Sequence, residues 1–301
     1  MNGLLTELGK KLPERWVELL LLPGALWVTV LLAGSKLGHT RAWDVHLLRS
    51  WANEVAGQPQ SHSVVVVGTG VAALLVTAAI SGLLATALGA GVERVHALRG
   101  NHGLPRLLRA YRQRRWRIAT AKLRRAVATR NTPNINRFAR ARAGRRIRSA
   151  QVVRRRLGGR APLGPTWVSD NFSATHAHLD RRYSIDVDTI WPRLWAVLPE
   201  AVRVDLATAR DAYSAACRLI GWGAMYLAVA IIWWPAALVG AMVIVTGQFR
   251  VRATATVLDD LTVGAVDLHI VDLAERIGIP VNRPAPRDIG VQIMEALTGP
   301  P

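Results

Sequence analysis

Three side chains in the middle of the chain have the types and spacing that suit a metal ion. His176, His178 and Asp180 form an H-x-H-x-D pattern. On a helix, His176 and Asp180 would share a face at a separation of four residues, and a third ligand from elsewhere would have to complete the site. Arg181 follows instead of a further histidine. We interpret the three as polar surface residues, with metal binding in a membrane-tethered enzyme as the weaker alternative.

No other set of residues predicts catalysis. The sequence contains no phosphate-binding loop, no nucleophile elbow and no complete histidine cluster. Cys217 is the only cysteine, which excludes an intrachain disulfide. The sequence therefore predicts no cofactor and favours a protein that is not an enzyme.

Charge is the strongest signal in this chain. Residues 94–160, the basic block, contain 22 Lys and Arg and no Asp or Glu, while the whole protein has a net charge of +19. Apolar runs flank this block at 63–92 and 219–247. Because loops rich in Lys and Arg stay in the cytoplasm, this order predicts a membrane protein with one large cytoplasmic loop.

The basic block predicts two arginine-rich helices, 104–130 and 134–157, which Asn131-Thr132-Pro133 separates. We expect its arginines to bind the anionic inner leaflet, at about 1 kcal/mol per basic residue near the surface, or an acidic protein partner. Nucleic acid is a weaker alternative, because few aromatic side chains are available for base stacking. The candidate residues are Arg112, Arg114, Arg115, Arg117, Arg124, Arg125, Arg145, Arg146, Arg154, Arg155 and Arg156.

A more neutral segment follows and holds a second candidate motif. Residues 182–186 read RYSID and residues 191–194 read WPRL. Proline suits the first turn of a helix, so we expect Pro192 to begin one and Arg193 to return to Asp186 or Asp188. We interpret this as a structural motif, with a ligand site as the alternative. Its members are Asp186, Trp191, Pro192 and Arg193.

This segment resembles a family of uncharacterised bacterial membrane proteins of actinobacterial type. Their pattern runs PT-x-LGN, RYG-x-D and WPRL before a terminal LP, and here it extends from Pro165-Thr166 to Leu198-Pro199. The chain departs from it where Val168-Ser169-Asp170 replaces LGN and Ser184 replaces glycine. The resemblance implies two pairs of membrane spans around a cytoplasmic region, with no known activity.

Three apolar runs are candidates for membrane spans. Residues 17–34 suffice for one crossing, which needs roughly 17–25 residues, and we expect a retained anchor rather than a cleaved signal peptide. Residues 63–92 have no charge and are rich in small residues, which let helices approach closely. Residues 219–247 predict a hairpin that turns at Trp233-Trp234-Pro235, with one long tilted span as the alternative.

Two amphipathic segments lie outside these runs. Trp43, Leu47, Trp51 and Val55 recur every four residues, which predicts a short helix at the outer membrane interface. The tail, 253–301, carries seven acids against three arginines, so we expect it to dock on the basic block. Its predicted apolar face consists of Val257, Leu261, Ala265, Leu268 and Val271.

Together these patterns predict an all-α, polytopic membrane protein with about four transmembrane helices and a basic helical cytoplasmic domain. We expect an N-terminal transmembrane pair at 1–93, a basic helical cytoplasmic region at 94–217, a transmembrane hairpin at 218–249 and an acidic cytoplasmic tail at 250–301. The expected location is the inner membrane, with the N-terminus in the cytoplasm.

The function that these features favour is an oligomeric membrane scaffold or regulator that binds membrane lipids or a partner. A channel or membrane-perturbing effector is the alternative. A membrane-tethered nucleic-acid binder is a lesser one.

Overall fold

The computed structural model describes residues 21–57, 64–98, 103–132, 136–156, 161–281 and 288–298. Within these ranges every regular element is an α-helix, as the sequence predicts. The helices are α1 Leu22–Leu37, α2 Val45–Gly57, α3 Val64–Ala97, α4 Gly103–Arg130, α5 Arg137–Arg156, α6 Trp167–Tyr183, α7 Val187–Val197, α8 Glu200–Val229, α9 Pro235–Arg276 and α10 Ile289–Thr298.

The chain divides into two compact units. The first, the apolar unit, comprises Met1–Val92 and Ser214–Arg250. The second, the charged unit, comprises Glu93–Tyr213 and Val251–Pro301. Helix α9 continues without a break through the predicted boundary between residues 249 and 250.

Helices α3 and α9 are long and apolar enough to cross a membrane, by length and composition. Helix α3 has 34 residues, or about 51 Å at 1.5 Å per residue, while the hydrocarbon core of a bilayer is about 30 Å thick. The 29 residues of α3 before Glu93 already reach about 43 Å, so its charged end is not needed to cover that thickness. Helix α1 is apolar but has only 16 residues, and residues 17–20 of the predicted first span lie outside the described ranges.

The apolar side chains of α3 are mostly exposed. Only 22% of its most apolar 18-residue window is buried, whereas the core helix of a soluble protein is mostly buried. Val66, Leu75 and Leu84 are among the exposed side chains. A contiguous apolar surface of this kind marks contact with lipid or with another protein.

Small residues bring the helices of the apolar unit close together. A Cβ added at Gly89 of α3 would lie 2.7 Å from the Cα of Arg218 in α8, and one added at Gly221 would lie 2.5 Å from the carbonyl oxygen of Ala85. These two contacts make α3 and α8 antiparallel. The spacing supports the prediction that small residues in 63–92 serve close helix packing.

Helix α8 ends at Val229 and α9 begins at Pro235, so the chain turns at 230–234. A Cβ added at Gly223 would lie 3.0 Å from the carbonyl oxygen of Gly240, and one added at Gly247 would lie 2.7 Å from Ile220. The two helices are therefore antiparallel after the turn. This break excludes a single continuous helix through 219–247.

The α8–α9 turn contacts the segment that follows α1. Nδ1 of His39 lies 2.6 Å from the carbonyl oxygen of Ile232, and Trp233 Nε1 donates to the carbonyl oxygen of Ala42 at 3.1 Å. Trp43 packs edge-on against Trp234. Helix α2 begins at Val45, so Trp43 precedes it, and the prediction of one helical face from Trp43 to Val55 is wrong at its first member.

The charged unit has its core among α6, α7, α10, the start of α8 and the end of α9. Leu179, Ile190, Leu194, Ile270 and Ile293 are fully or almost fully buried there. Their removal from water is the main stabilising contribution, at about 1.5–3 kcal/mol for each large apolar side chain.

The predicted apolar face of the tail is only partly correct. Ala265 and Val271 are buried, but Val257 and Leu268 are exposed. The buried side of α9 passes instead through Val266, Ile270 and Leu273. Because α9 packs against more than one neighbour, its buried side differs from the narrow stripe that the spacing predicts.

Helix α7 begins at Val187, so Pro192 lies at its sixth position and the expectation that it begins the helix is wrong. Burial of Val187, Ile190 and Leu194 on one face starts the helix before the proline, which is exposed. Asp186 does not pair directly with Arg193. It accepts a hydrogen bond from the Thr189 hydroxyl at 2.6 Å, while Arg193 donates to the Thr189 carbonyl oxygen at 3.0 Å.

Candidate functional site

Helices α4 and α5 form an antiparallel pair within the charged unit, which we call the arginine hairpin. Alanines line the surface between the two helices: Ala119 and Ala126 of α4 and Ala143 and Ala150 of α5 are buried. Ile147 is the larger buried side chain in this surface. Small side chains allow close packing, so the hairpin has a thin apolar interior and directs its long basic side chains outward.

A groove of about 1120 Å³ runs along one side of this pair. Its base includes the alanines at the interface, and no acid is among its lining residues. Its basic lining residues are Arg115, Lys122, Arg125, Arg142 and Arg146.

Apolar side chains line the same groove beside the basic ones. Phe138 is 81% exposed, and Ile118 and Val153 are also exposed large apolar residues. A surface that combines exposed apolar side chains with a basic border is typical of helices that lie at a membrane interface. The groove therefore suits an amphipathic, negatively charged ligand.

Most of the candidate arginines are exposed on this hairpin. Seven of the eleven candidates are exposed, and none of these seven arginines forms an ion pair with an acid in the part of the chain that the structure describes. Like charges at this density create a positive potential, which attracts anions. The seven are Arg114, Arg115, Arg117, Arg124, Arg125, Arg145 and Arg146.

Arg112 has a different role from the one that the sequence suggests. Its guanidinium donates to the carbonyl oxygens of Gly164 and Thr166 and to Asp170 Oδ2, each at 2.7 Å. The guanidinium of Arg112 therefore makes structural contacts within the protein, and these contacts join α4 to the start of α6. Arg154 lies over the ring of Trp116 at 5.8 Å. The side chains of Arg155 and Arg156 lie outside what the structure describes.

Asp170 is the residue here that sequence reasoning missed. Besides Arg112, it accepts hydrogen bonds from the backbone N–H groups of Leu163 and Gly164. The Thr166 hydroxyl accepts from the Ser169 N–H at 3.1 Å and caps α6. A threonine before a helix and an acid in its first turn together signal the start of a helix. The sequence could therefore have predicted the start of α6 at Thr166 and Asp170.

The structure places His176, His178 and Asp180 on α6, but it does not assemble them into a metal site. His176 and Asp180 line a cleft of about 420 Å³ together with Asp186, whereas His178 is not among its lining residues. Over the described ranges, no three His, Cys, Asp or Glu residues are grouped so that they could hold a metal ion. The geometry therefore gives no support to a metal-dependent enzyme.

Two acids of α9, Asp259 and Asp267, contact α6 rather than the basic block. Asp259 accepts a hydrogen bond from the side-chain amide of Asn171, and Asp267 accepts one from the Tyr183 hydroxyl at 2.8 Å and lies 3.5 Å from Arg182. Burial raises the pKa of Asp259 to about 6, although hydrogen bonds from Thr175 and Asn171 oppose the shift. The predicted docking of these two acids on the arginine helices is wrong.

The polar side chains of α3 do not form a line of groups suited to ions. The hydroxyls of Thr69, Thr77, Ser81 and Thr86 each donate to a carbonyl oxygen four residues earlier in the same helix. Helices satisfy hydroxyl groups in this way within an apolar environment. A pore lined by α3 therefore gains no support from these residues.

Comparison with known protein families, with curated proteins and with solved structures gives no match for this chain. The described residues themselves define an all-helical chain with two helices long and apolar enough to cross a membrane. They also define an arginine hairpin with a basic, partly apolar groove. The chemistry of that hairpin is therefore the feature of the described residues that bears most directly on function.

Proposed function

We propose that the protein is an integral scaffold or regulator of the bacterial inner membrane whose arginine hairpin binds the anionic cytoplasmic leaflet. The observation that carries this proposal is the set of seven exposed arginines that have no acidic partner among the described residues. They share the hairpin with exposed apolar side chains such as Phe138 and Ile118. This combination favours a membrane surface over a purely polar partner.

Chain connectivity supports the same proposal. Helix α3 ends at Ala97 and α4 begins at Gly103, so the hairpin is tethered directly after a helix that is long and apolar enough to span a membrane. Each basic residue near an anionic leaflet contributes about 1 kcal/mol. Because a tether raises the local concentration of the ligand, a few such contacts are enough for stable attachment.

Contacts within the apolar unit support a topology. The contact between Gly89 and Arg218 lies near the start of the apolar part of α8, and the contact between His39 and Ile232 lies in the turn that follows its end. If the basic block is cytoplasmic, the Gly89 end faces the cytoplasm and the turn at 230–234 faces outward. We propose this topology and place the N-terminus in the cytoplasm. The resemblance to the multi-span family is a further reason for it.

We also propose that the protein forms homo-oligomers through the exposed apolar side of α3. Ala85 and Gly89 already contact α8, so they are occupied within the chain. A Cβ added at Gly68 or Gly70 would meet nothing within 4 Å, so these two glycines remain available to another copy.

Thiol labelling in intact cells tests the topology. An impermeant reagent should label Ile231→Cys from outside, while Arg124→Cys should react only after permeabilisation. Cys217 is buried, so the unsubstituted protein serves as the blank. Labelling of Arg124→Cys in intact cells would disprove the cytoplasmic placement of the hairpin.

Protease protection tests the binding. The full-length protein is placed in lipid nanodiscs of phosphatidylcholine alone or with phosphatidylglycerol, and trypsin cleavage within 103–156 is timed. Anionic lipid should slow cleavage, and high salt should remove the protection because it screens the charges. Equal rates in both lipids would contradict the proposal. Protection by added RNA in the neutral nanodisc would favour a nucleic-acid partner instead.

A further inference from the structure

We infer that the groove between α4 and α5 is the phospholipid-binding face of the arginine hairpin, and that it takes phosphate groups on its basic border and an acyl chain along its base. This inference rests on the proposed function and assigns the binding to one face. The opposite, outer face carries comparable charge but lacks the groove.

The two faces of α4 are matched in charge. Arg115, Lys122 and Arg125 line the groove. Arg106, Arg117 and Arg124 are also exposed but do not line it, since their positions lie on the far side of the helix. If the two faces differ in phospholipid binding, the cause is therefore their shape and their apolar side chains rather than their charge.

The faces differ in their apolar side chains. The groove includes Ile118, Phe138 and Val153, all exposed to solvent. Between the arginines of the outer face of α4 lie the alanines Ala110 and Ala121. Covering large apolar side chains is favourable by about 25 cal/mol per Å², so the groove gains much more than the outer face from contact with hydrocarbon.

The dimensions of the groove suit one acyl chain. Its lining on α4 extends from Arg115 to Thr129, which at 1.5 Å per residue is about 21 Å. The hydrocarbon layer of one leaflet is about 15 Å thick, half of the bilayer core. An acyl chain can therefore lie along the alanine base while its headgroup remains at the border.

The border carries the chemistry that recognises phosphate. Arg115, Arg125, Arg142 and Arg146 present planar guanidinium groups, which bind phosphate oxygens through paired hydrogen bonds. An acidic helix would match the charges too, but it would leave the strongly exposed Phe138 ring beside carboxylates. The exposed apolar side chains therefore favour a phospholipid.

Two charge-matched triple variants of the full-length protein test the inference. The groove variant is Arg115→Gln, Arg125→Gln and Arg146→Gln, and the outer variant is Arg117→Gln, Arg124→Gln and Arg148→Gln. Each removes three positive charges. Binding of phosphatidylglycerol to the purified protein in detergent is measured by native mass spectrometry. The groove variant should lose at least about tenfold in affinity and the outer variant less than about threefold.

Equal losses in both variants would overturn the groove assignment and leave general attraction to the anionic leaflet intact. Absence of phosphatidylglycerol binding in the unsubstituted protein would overturn both. Retention of an acidic protein in place of lipid would also overturn the inference.

A second readout does not depend on arginine substitutions. Phe138→Cys in the groove and Val152→Cys, an exposed position that does not line it, are labelled with an environment-sensitive fluorophore. In nanodiscs with phosphatidylglycerol, the label at position 138 should shift to shorter wavelength and the label at 152 should not. Equal shifts, or no shift at 138, would contradict the inference.

Discussion

Arg112 and Asp170 form an ion pair of 2.7 Å that joins the arginine hairpin to the start of α6. Their side chains are only 13% and 19% exposed. The same guanidinium also holds the carbonyl oxygens of Gly164 and Thr166. The basic block therefore contains two kinds of arginine: Arg112 holds the charged unit together, and the exposed arginines are available to a ligand.

Arg112→Ala is expected to destabilise the protein by about 2–3 kcal/mol, because it leaves a mostly buried carboxylate without its charged partner. Thermal unfolding of the full-length protein in detergent measures this. Arg114→Ala is the matched control and should change stability by less than about 0.5 kcal/mol. The double variant Arg112→Ala and Asp170→Ala should lose less than the sum of the single losses. Equal effects of Arg112→Ala and Arg114→Ala would show that the ion pair is not structural.

Asp259 should make stability depend on pH below neutrality. It is 7% exposed and lies 24 residues, or about 36 Å, after Pro235 at the start of α9, which is more than the thickness of about 30 Å of a bilayer core. Burial raises its pKa from the ordinary 3.8 to about 6, and nearby Asp260 adds to the shift. Between about pH 4 and 6 the folded state therefore binds more protons than the unfolded state, and stability falls as pH rises through this window.

Asp259→Asn removes this titration. The variant should be more stable than the unsubstituted protein above pH 6, by up to about 3 kcal/mol, and the difference should shrink towards pH 4. Unfolding temperatures of both proteins between pH 4.5 and 7.5 measure it. Parallel pH curves for the two proteins would mean that Asp259 has an ordinary pKa.

Gly89→Ala is expected to destabilise the apolar unit, because its Cβ would collide with the backbone of Arg218. Overpacking of this kind costs about 1–3 kcal/mol. Gly91→Ala is the control in the same helix, since a Cβ there meets nothing within 4 Å. That control should be neutral or gain up to about 1 kcal/mol from helix propensity. The unfolding temperature in detergent separates the two variants, and a stable Gly89→Ala would rule out the close contact of α3 with α8.

Pro192→Ala is expected to stabilise the protein. Pro192 is exposed at the sixth position of α7, where it lacks the N–H that the helix would use. Alanine is favoured over proline inside a helix by up to about 3 kcal/mol. Chemical unfolding of the full-length protein measures the change. A loss of stability would instead agree with the first-turn position that the sequence suggests.

Helix type and helix limits followed from local signals. The predicted helix 104–130 is observed as Gly103–Arg130, and 134–157 as Arg137–Arg156. The sequence Asn131-Thr132-Pro133 between them is a turn signal, and periodic apolar positions mark each helix. The turn predicted at Trp233-Trp234-Pro235 lies at 230–234 for the same reason. Proline and charge act on their immediate neighbours, so the amino-acid order carries these features.

The roles of side chains that depend on partners far away in the chain could not be predicted from the sequence. In the sequence, nothing distinguishes Arg112 from the other arginines of the basic block. Its structural role depends on Asp170, which lies 58 residues later in the chain and becomes its partner only in the folded protein. Val257 and Leu268 fit a helical apolar stripe, but the neighbours of α9 bury a different side of it. The spacing of apolar residues identifies one face of a helix, whereas the burial of that face depends on which neighbouring helices pack against it.

The order of residues was sufficient to predict an all-helical chain, its long apolar helices and a basic segment without acids, because helix periodicity and charge are properties of neighbouring positions. The folded arrangement was needed to distinguish the arginines that form a groove from the arginine that joins two helices. Ion pairing and burial are properties of distance in space, and the chain reaches those distances only when helices far apart in sequence pack together.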